Sequence, residues 1–147
     1  MVACNRVNDV SNLGNVHTLY LTQCEGIEDV SCLLNINTLD LEGCYGVTNV
    51  DNLGKIHNLN LRDCINVNNV SKLDKVTSLD ISLCVNINDI STLKNVNLLN
   101  TYGCSFEKSI NRLSYPGLSS VNCPGGIHKC PERRGQINQK KLAYSIY

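Results

Sequence analysis

Val30-Ser31-Cys32-Leu33-Leu34-Asn35-Ile36-Asn37-Thr38-Leu39-Asp40-Leu41-Glu42-Gly43-Cys44-Tyr45-Gly46-Val47-Thr48-Asn49 is one period of a pattern that runs through most of this chain. Shifted by its own length in either direction, the stretch meets itself. Cysteines fall at Cys4, Cys24, Cys44, Cys64, Cys84 and Cys104. Apolar columns share the period: Val10, Val30, Val50, Val70 and Ile90; Leu13, Leu33, Leu53, Leu73 and Leu93; Leu19, Leu39, Leu59, Leu79 and Leu99. So many columns in register over so many coils exclude coincidence, and a fixed short period is the mark of a solenoid.

The steps within one coil describe its path. Val10, Leu13, Val16 and Leu19 are every third residue, Leu21 follows after a step of two, and Cys24 and Ile27 resume steps of three. A step of two is the strand period, so Leu19 and Leu21 point inward and Tyr20 outward. Steps of three suit turns and short 3-10 pieces. The helical period of 3.6 is absent, so true helices are not expected. Each coil therefore supplies one short strand, and stacked coils pair these strands into a parallel sheet.

Asp9, Asp29, Asn49, Asn69 and Asp89 each stand two residues before Ser11, Ser31, Asp51, Ser71 and Ser91. Short polar side chains in such places bond nearby backbone N–H groups and fix turns. A structural role is expected for them in preference to a carboxylate metal site.

The string Leu-x-Leu-x-x-Cys-x-x-Ile-x-Asp-Val, read from Leu19 to Val30, resembles the leucine-rich repeat, with Cys where Asn often sits. The segment Ile27-x-Asp29-Val30 is similar to that of the internalin and phosphatase-regulator types. The resemblance implies an α/β-type solenoid arc with a parallel β-sheet on its concave side, a thin convex side, and a role in binding partners. The likeness is strong to about residue 105 and weaker over 106–123. The expected organisation is a partial first coil over 1–9, regular coils over 10–105, and a degenerate last coil over 106–123. Residues 124–147 follow as a basic C-terminal cap or tail. In the last coil, Leu118-Ser-Ser-Val121-Asn-Cys123 restores the strand pattern after a two-residue slip near Pro116-Gly117. At the other end Met1 aligns with Leu21, so the pattern starts in mid-strand; cover by a partner, stacking of another copy, or a longer ancestor would each account for it.

Charge is distributed unevenly although the net charge is zero. Residues 1–54 hold seven Asp/Glu against one Lys/Arg, whereas residues 108–147 hold seven Lys/Arg against one Asp/Glu. A nucleic-acid binder with a basic strip looks different, so no nucleic acid is favoured as partner. No apolar run is long enough to span a bilayer, and Met1 to Arg6 lack the apolar stretch of a secretory signal. A cytoplasmic, reducing location is the expectation.

Nine cysteines would suggest a disulfide scaffold in a small secreted protein. Ladder cysteines one strand spacing apart are too widely set for easy bridging, because disulfide Cβ atoms lie about 3.8 Å apart. Reduced, buried thiols acting as small apolar fillers with weak hydrogen bonds are expected, with Cys32 off the ladder and exposed. Cys123, His128 and Cys130 form the one cluster able to hold zinc, although the spacing is not a pair of CxxC units. Free thiols are the preferred reading there, ahead of zinc and of a Cys123–Cys130 disulfide. No cofactor is called for. His17 and His57 share a column two coils apart, too far for a dyad, and no phosphate loop, nucleophile elbow or HExxH occurs. The sequence therefore reads as non-enzymatic.

Three outward columns remain: Thr18, Thr38, Asn58, Ser78 and Leu98; Tyr20, Asp40, Asn60, Asp80 and Asn100; Thr22, Glu42, Arg62, Ser82 and Tyr102. Short hydrogen-bonding groups, two Tyr and an Arg among acids suggest a protein-binding face, since aromatics and Arg are typical interface anchors. The expected contact residues are Tyr20, Asp40, Glu42, Asn60, Arg62, Asp80 and Tyr102. A structural component that self-associates through its ends is the alternative.

Overall fold

The structure, a computed structural model, describes residues 6–104 and the backbone of 120–123 and 126–129. It is a parallel β-solenoid. Five short strands, β1 (Thr18–Tyr20), β2 (Thr38–Asp40), β3 (Asn58–Asn60), β4 (Ser78–Asp80) and β5 (Leu98–Asn100), pair in chain order, each parallel to the next. Their register is one sequence period per strand, Leu19 opposite Leu39, Leu39 opposite Leu59, and onward to Leu99. The sheet then takes on β6 (Ser120–Cys123), parallel to β5. Here Leu99 lies opposite Val121, so the register has absorbed the slip near Pro116-Gly117. The sheet ends with β7 (Gly126–Lys129), which turns back antiparallel to β6. Apart from Pro124-Gly125, nothing in the repeat pattern announces this last hairpin.

The steps of three have a direct backbone meaning. Leu33 N–H donates to Val30 O, Ile56 N–H to Leu53 O, Cys44 N–H to Leu41 O and Val47 N–H to Cys44 O, each acceptor lying three positions back. Each coil is thus a strand followed by a succession of single 3-10-type turns, two of which extend into short 3-10 segments at Ser11–Leu13 and Asp51–Lys55. An apolar side chain at every third position then points always to the coil axis. There are no α-helices among the described residues, and so no helix long and apolar enough to cross a membrane.

The core is one continuous column of Leu, Ile, Val and Cys from Val10 to Cys104, with Ile27, Leu33, Leu41, Leu53, Leu61, Leu73, Ile81 and Leu93 wholly buried. Burying such a side chain contributes about 1.5–3 kcal/mol. Coils approach closely enough that a Cβ on Gly54 would collide with the Lys72 carbonyl of the next coil. Thr101, in the place of the expected leucine, stays inward and buried. Val16, in the first described coil, is partly exposed, whereas its equivalents Ile36, Ile56, Val76 and Val96 are buried.

The polar turn positions do what their chemistry suggests. Asp9, Asp29, Asn49, Asn69 and Asp89 each accept, at 2.7–2.9 Å, the backbone N–H two positions on. The N–H of Ser11 and Ser91, and the hydroxyl of Ser31, hold the carboxylates of Asp9, Asp89 and Asp29 below their ordinary range. After each strand the chain passes through the left-handed region, at Gln23, Gly43, Asp63, Leu83 and Gly103, with φ between 57° and 76°. Only two of the five are glycine, so the position is held by the repeat geometry against the preference of the side chain.

The ladder cysteines Cys24, Cys44, Cys64, Cys84 and Cys104 are buried, and these five and Cys32 are free thiols. The Cys24 thiol lies 3.9 Å from Thr22 O of its own coil, whereas the other four ladder thiols donate to a carbonyl in the preceding coil: Cys44 to Leu21 O at 3.0 Å, Cys64 to Leu41 O at 3.0 Å, Cys84 to Leu61 O at 2.9 Å and Cys104 to Ile81 O at 2.9 Å. Those carbonyls already accept one turn N–H and face the interior, so the thiol occupies a second lone pair that water cannot reach. A purely apolar filler would leave it empty. Burial pushes the Cys44 thiol up to about 11 and Cys84 to about 12, and raises Cys64 as well. Cys4 lies outside the described residues. Cys32, expected to be exposed, is instead half-buried, with its thiol 3.4 Å from Val10 O.

Candidate functional site: the outward face of the sheet

Residues that alternate with the buried leucines emerge on one face of the sheet, and parallel in-phase pairing stacks equivalent residues about 4.8 Å apart. The central column is Tyr20, Asp40, Asn60, Asp80 and Asn100. Below Tyr20, acid and amide alternate, and the hydrogen bonds show why. Asn60 Nδ2 donates to Asp40 Oδ2 at 3.1 Å, and Asn100 Nδ2 donates to Asp80 Oδ2 at 2.7 Å. The Oδ1 of each side chain turns back on its own strand. Asp40 Oδ1 accepts Glu42 N–H at 2.9 Å, Asn60 Oδ1 accepts Arg62 N–H at 2.9 Å, and Asp80 Oδ1 accepts Ser82 N–H at 2.8 Å. Asp40, Asn60 and Asp80 are therefore part of a polar ladder that ties coil to coil, whatever else they touch.

Replacing the amide by an acid tests that ladder. Asn60→Asp puts three carboxylates in adjacent strands and removes the donor to Asp40. A loss of about 1–3 kcal/mol at pH 7 is expected, partly recovered as acid protonates the carboxylates. Urea unfolding at pH 7 and pH 4 measures it; unchanged stability at pH 7 would show the ladder to be without energetic weight.

The third column is less tied down. Glu42 and Arg62 are each 39% exposed and form a single ion pair at 3.6 Å, a geometry contributing at most about 1 kcal/mol. The Arg62 guanidinium also reaches Ser82 Oγ at 3.4 Å in the next coil. Ser82, expected to face outward with this column, is fully buried beneath it and bonded to Asp80. On the first and fifth strands' coils stand Tyr20, 70% exposed, and Tyr102, 49% exposed, with Leu98 exposed in the first outward column of the latter coil. The seven expected contact residues thus lie on one surface, but only Tyr20, Arg62 and Tyr102 present side chains not already committed to the ladder, because Glu42 Oε2 accepts from Asn60 Nδ2 at 3.5 Å.

His17 and His57 are surface residues: the His17 ring lies 3.3 Å from the Thr18 hydroxyl and the His57 ring bonds the Thr77 hydroxyl at 3.0 Å. Among the described residues no group of His, Cys, Asp and Glu is arranged to hold a metal ion. The expected cluster of Cys123, His128 and Cys130 falls outside this statement: Cys130 is beyond the described residues, and for the other two only the strand backbone is described. A cavity of about 250 Å³ on the turn side, lined by Glu28, Asp29, Ser31, Asn49 and Asn52 among others, brings together no catalytic pair. No protein-family model matches the chain, and no curated protein shows significant similarity to it.

Proposed function

We propose that the chain is a leucine-rich-repeat recognition module that binds a protein partner through the outward face of its sheet and catalyses nothing. The observation that carries this reading is the in-register face itself. A row of short hydrogen-bonding side chains is held rigid by the ladder and flanked by the exposed aromatics Tyr20 and Tyr102. Rigid polar groups lose little entropy on binding, and aromatic and Arg side chains supply most interface energy. Charges of both signs, Glu42 and Arg62 among them, suit a protein surface better than a phosphate backbone, which wants a basic strip. The hydrogen-bonded interior thiols suit a reducing, intracellular setting.

The test is capture of a partner from a lysate by the immobilised full chain, followed by affinity measurement with the captured protein. Arg62→Ala and Tyr20→Ala should each weaken binding by about 2 kcal/mol with little change in melting. Lys55→Ala, Lys75→Ala and Lys94→Ala, all off the face, should change affinity little. Binding that survives the first pair and is lost with the lysines would place recognition on the turn side.

A further inference from the structure

Each coil has two turn sides besides its strand, and the two carry opposite charge. The first side runs from the ladder cysteine to the Val10-type corner, as in 24–30, and the second from that corner to the next strand, as in 31–37. Between residues 7 and 97 the first sides hold Asp9, Glu25, Glu28, Asp29 and Asp89, with no Lys or Arg. The second sides hold Lys55, Lys72, Lys75 and Lys94 against Asp51 and Asp74. The acids of the first sides and the lysines of the second are all exposed. Among the described residues the one ion pair joins Glu42 and Arg62 on the sheet, so neither set is paired within the molecule. Asp9, Asp29 and Asp89 each give one oxygen to their own turn, but no hydrogen bond or ion pair engages the carboxylates of Glu25 and Glu28.

The two sets are also displaced along the solenoid axis. Four of the five acids lie in the coils leading to β1 and β2, whereas the lysines lie in those leading to β3, β4 and β5. Where a side lacks charge it exposes aliphatic residues: Ile65 and Val85 on the first side of the last two coils, Val16 and Leu34 on the second side of the first two. Let the first side of one molecule lie against the second side of another with the axes antiparallel, the coil of β1 opposite the coil of β5. Asp9 then meets Lys94, Glu25 and Glu28 meet Lys72 and Lys75, Ile65 meets Leu34 and Val85 meets Val16. With the axes parallel all of these pairings are lost, because the acids face Val16 and Leu34 and the lysines face Ile65 and Val85.

We propose that the second, lysine-bearing turn side docks on the first, acidic turn side of another copy of this chain, packed antiparallel. The two surfaces are unlike, so the contact is heterologous: each molecule in a pair keeps one surface free, and growth is open-ended. Complementary charge fixes orientation and register more than strength. Exposed ion pairs are individually weak, so the assembly forms in concentrated solution and not in dilute. The outward sheet face takes no part and stays free for a partner.

The experiment is sedimentation of the full chain from dilute to concentrated solution. The average mass should rise severalfold, and return to that of a single chain in 1 M salt, where screening acts over about 3 Å. The charge-reversed variants Glu25→Lys with Glu28→Lys, and Lys72→Glu with Lys75→Glu, should each stay monomeric with native circular dichroism. An equal mixture of the two should associate again, since each then meets a complementary side. Carbodiimide coupling of a mixture of isotopically labelled and unlabelled chain reads the alignment. Links of mixed isotope are expected between Lys72 or Lys75 and Glu25 or Glu28. A chain that stays monomeric at every concentration, association indifferent to salt, or a mixture of folded variants that stays monomeric would overturn the proposal. Mixed links running from Lys140 or Lys141 to these glutamates, in place of the expected ones, would overturn it as well. A monomeric chain that sediments with phosphatidylserine vesicles, and loses this with Lys72→Glu and Lys75→Glu, would overturn it in favour of an anionic lipid surface.

Discussion

Leu79→Asp is expected to abolish the cooperative fold. Leu79 is buried at the centre of β4, between Leu59 and Leu99 in the adjacent strands. A carboxylate there has no cation within the leucine column, and burying it unpaired costs several kcal/mol. Domains of this size are stable by only about 5–15 kcal/mol. A solenoid amplifies the damage, because each coil is stabilised mainly by its two neighbours, and a defect in the middle uncouples the ends. Circular dichroism at room temperature should show loss of most strand signal. Asp80→Ala, at the next position, removes a ladder acceptor and should cost only about 1–2 kcal/mol. Native dichroism and unchanged melting for Leu79→Asp would contradict the assignment of this column to the core.

A second large effect is expected in alkali. The ladder thiols are held protonated by burial, with Cys44 raised to about 11 and Cys84 to about 12. The unfolded chain ionises its thiols near about 8.5, so above that pH the unfolded state has lost protons that the native state keeps. Stability is therefore fully present below about pH 8.5 and is lost as pH rises toward the folded values. The slope approaches about 1.4 kcal/mol per pH unit for each such thiol. Urea midpoints at pH 7, 9 and 10.5 should fall steeply over the last interval. The double variant Cys64→Val, Cys84→Val should show a shallower fall, at the expense of the two hydrogen bonds to Leu41 O and Leu61 O. The same burial predicts that native ladder thiols resist alkylation at pH 7.5 until denaturant is added. A pH profile identical in the two proteins would show that the thiols do not carry the effect.

The fold was legible because a strict period fixes register without any long-range guess: when Leu39 is inward, so are Leu19 and Leu59. The steps of three and two translated into turns and a strand for the same reason, each being the repeat of its own backbone hydrogen bond. The site was less legible. Alternation assigned Ser82 to the surface, but a short side chain beneath the long arm of Arg62 is covered. Asp40, Asn60 and Asp80 were read as free contact groups. The acid–amide alternation was visible in the column, yet its meaning emerges only once the two polar atoms of each side chain are traced to different partners. Cys32 looked exposed because it is off the cysteine ladder, and the carbonyl of Val10 that receives it belongs to another coil. The closing hairpin could not be read because Gly126 to Lys129 carry no strand alternation of their own.

Whether partners meet this molecule on the outward face of its sheet is tested most directly by hydroxyl-radical footprinting of the chain free and bound to its captured partner. Tyr20 and Tyr102 are 70% and 49% exposed on that face, and Leu34 and Val85, at 48% and 47%, are comparably exposed away from it. The account predicts that binding slows oxidation of Tyr20 and Tyr102 severalfold and leaves Leu34 and Val85 unchanged. Protection of Leu34 and Val85 with both tyrosines still oxidised at the free rate would contradict it.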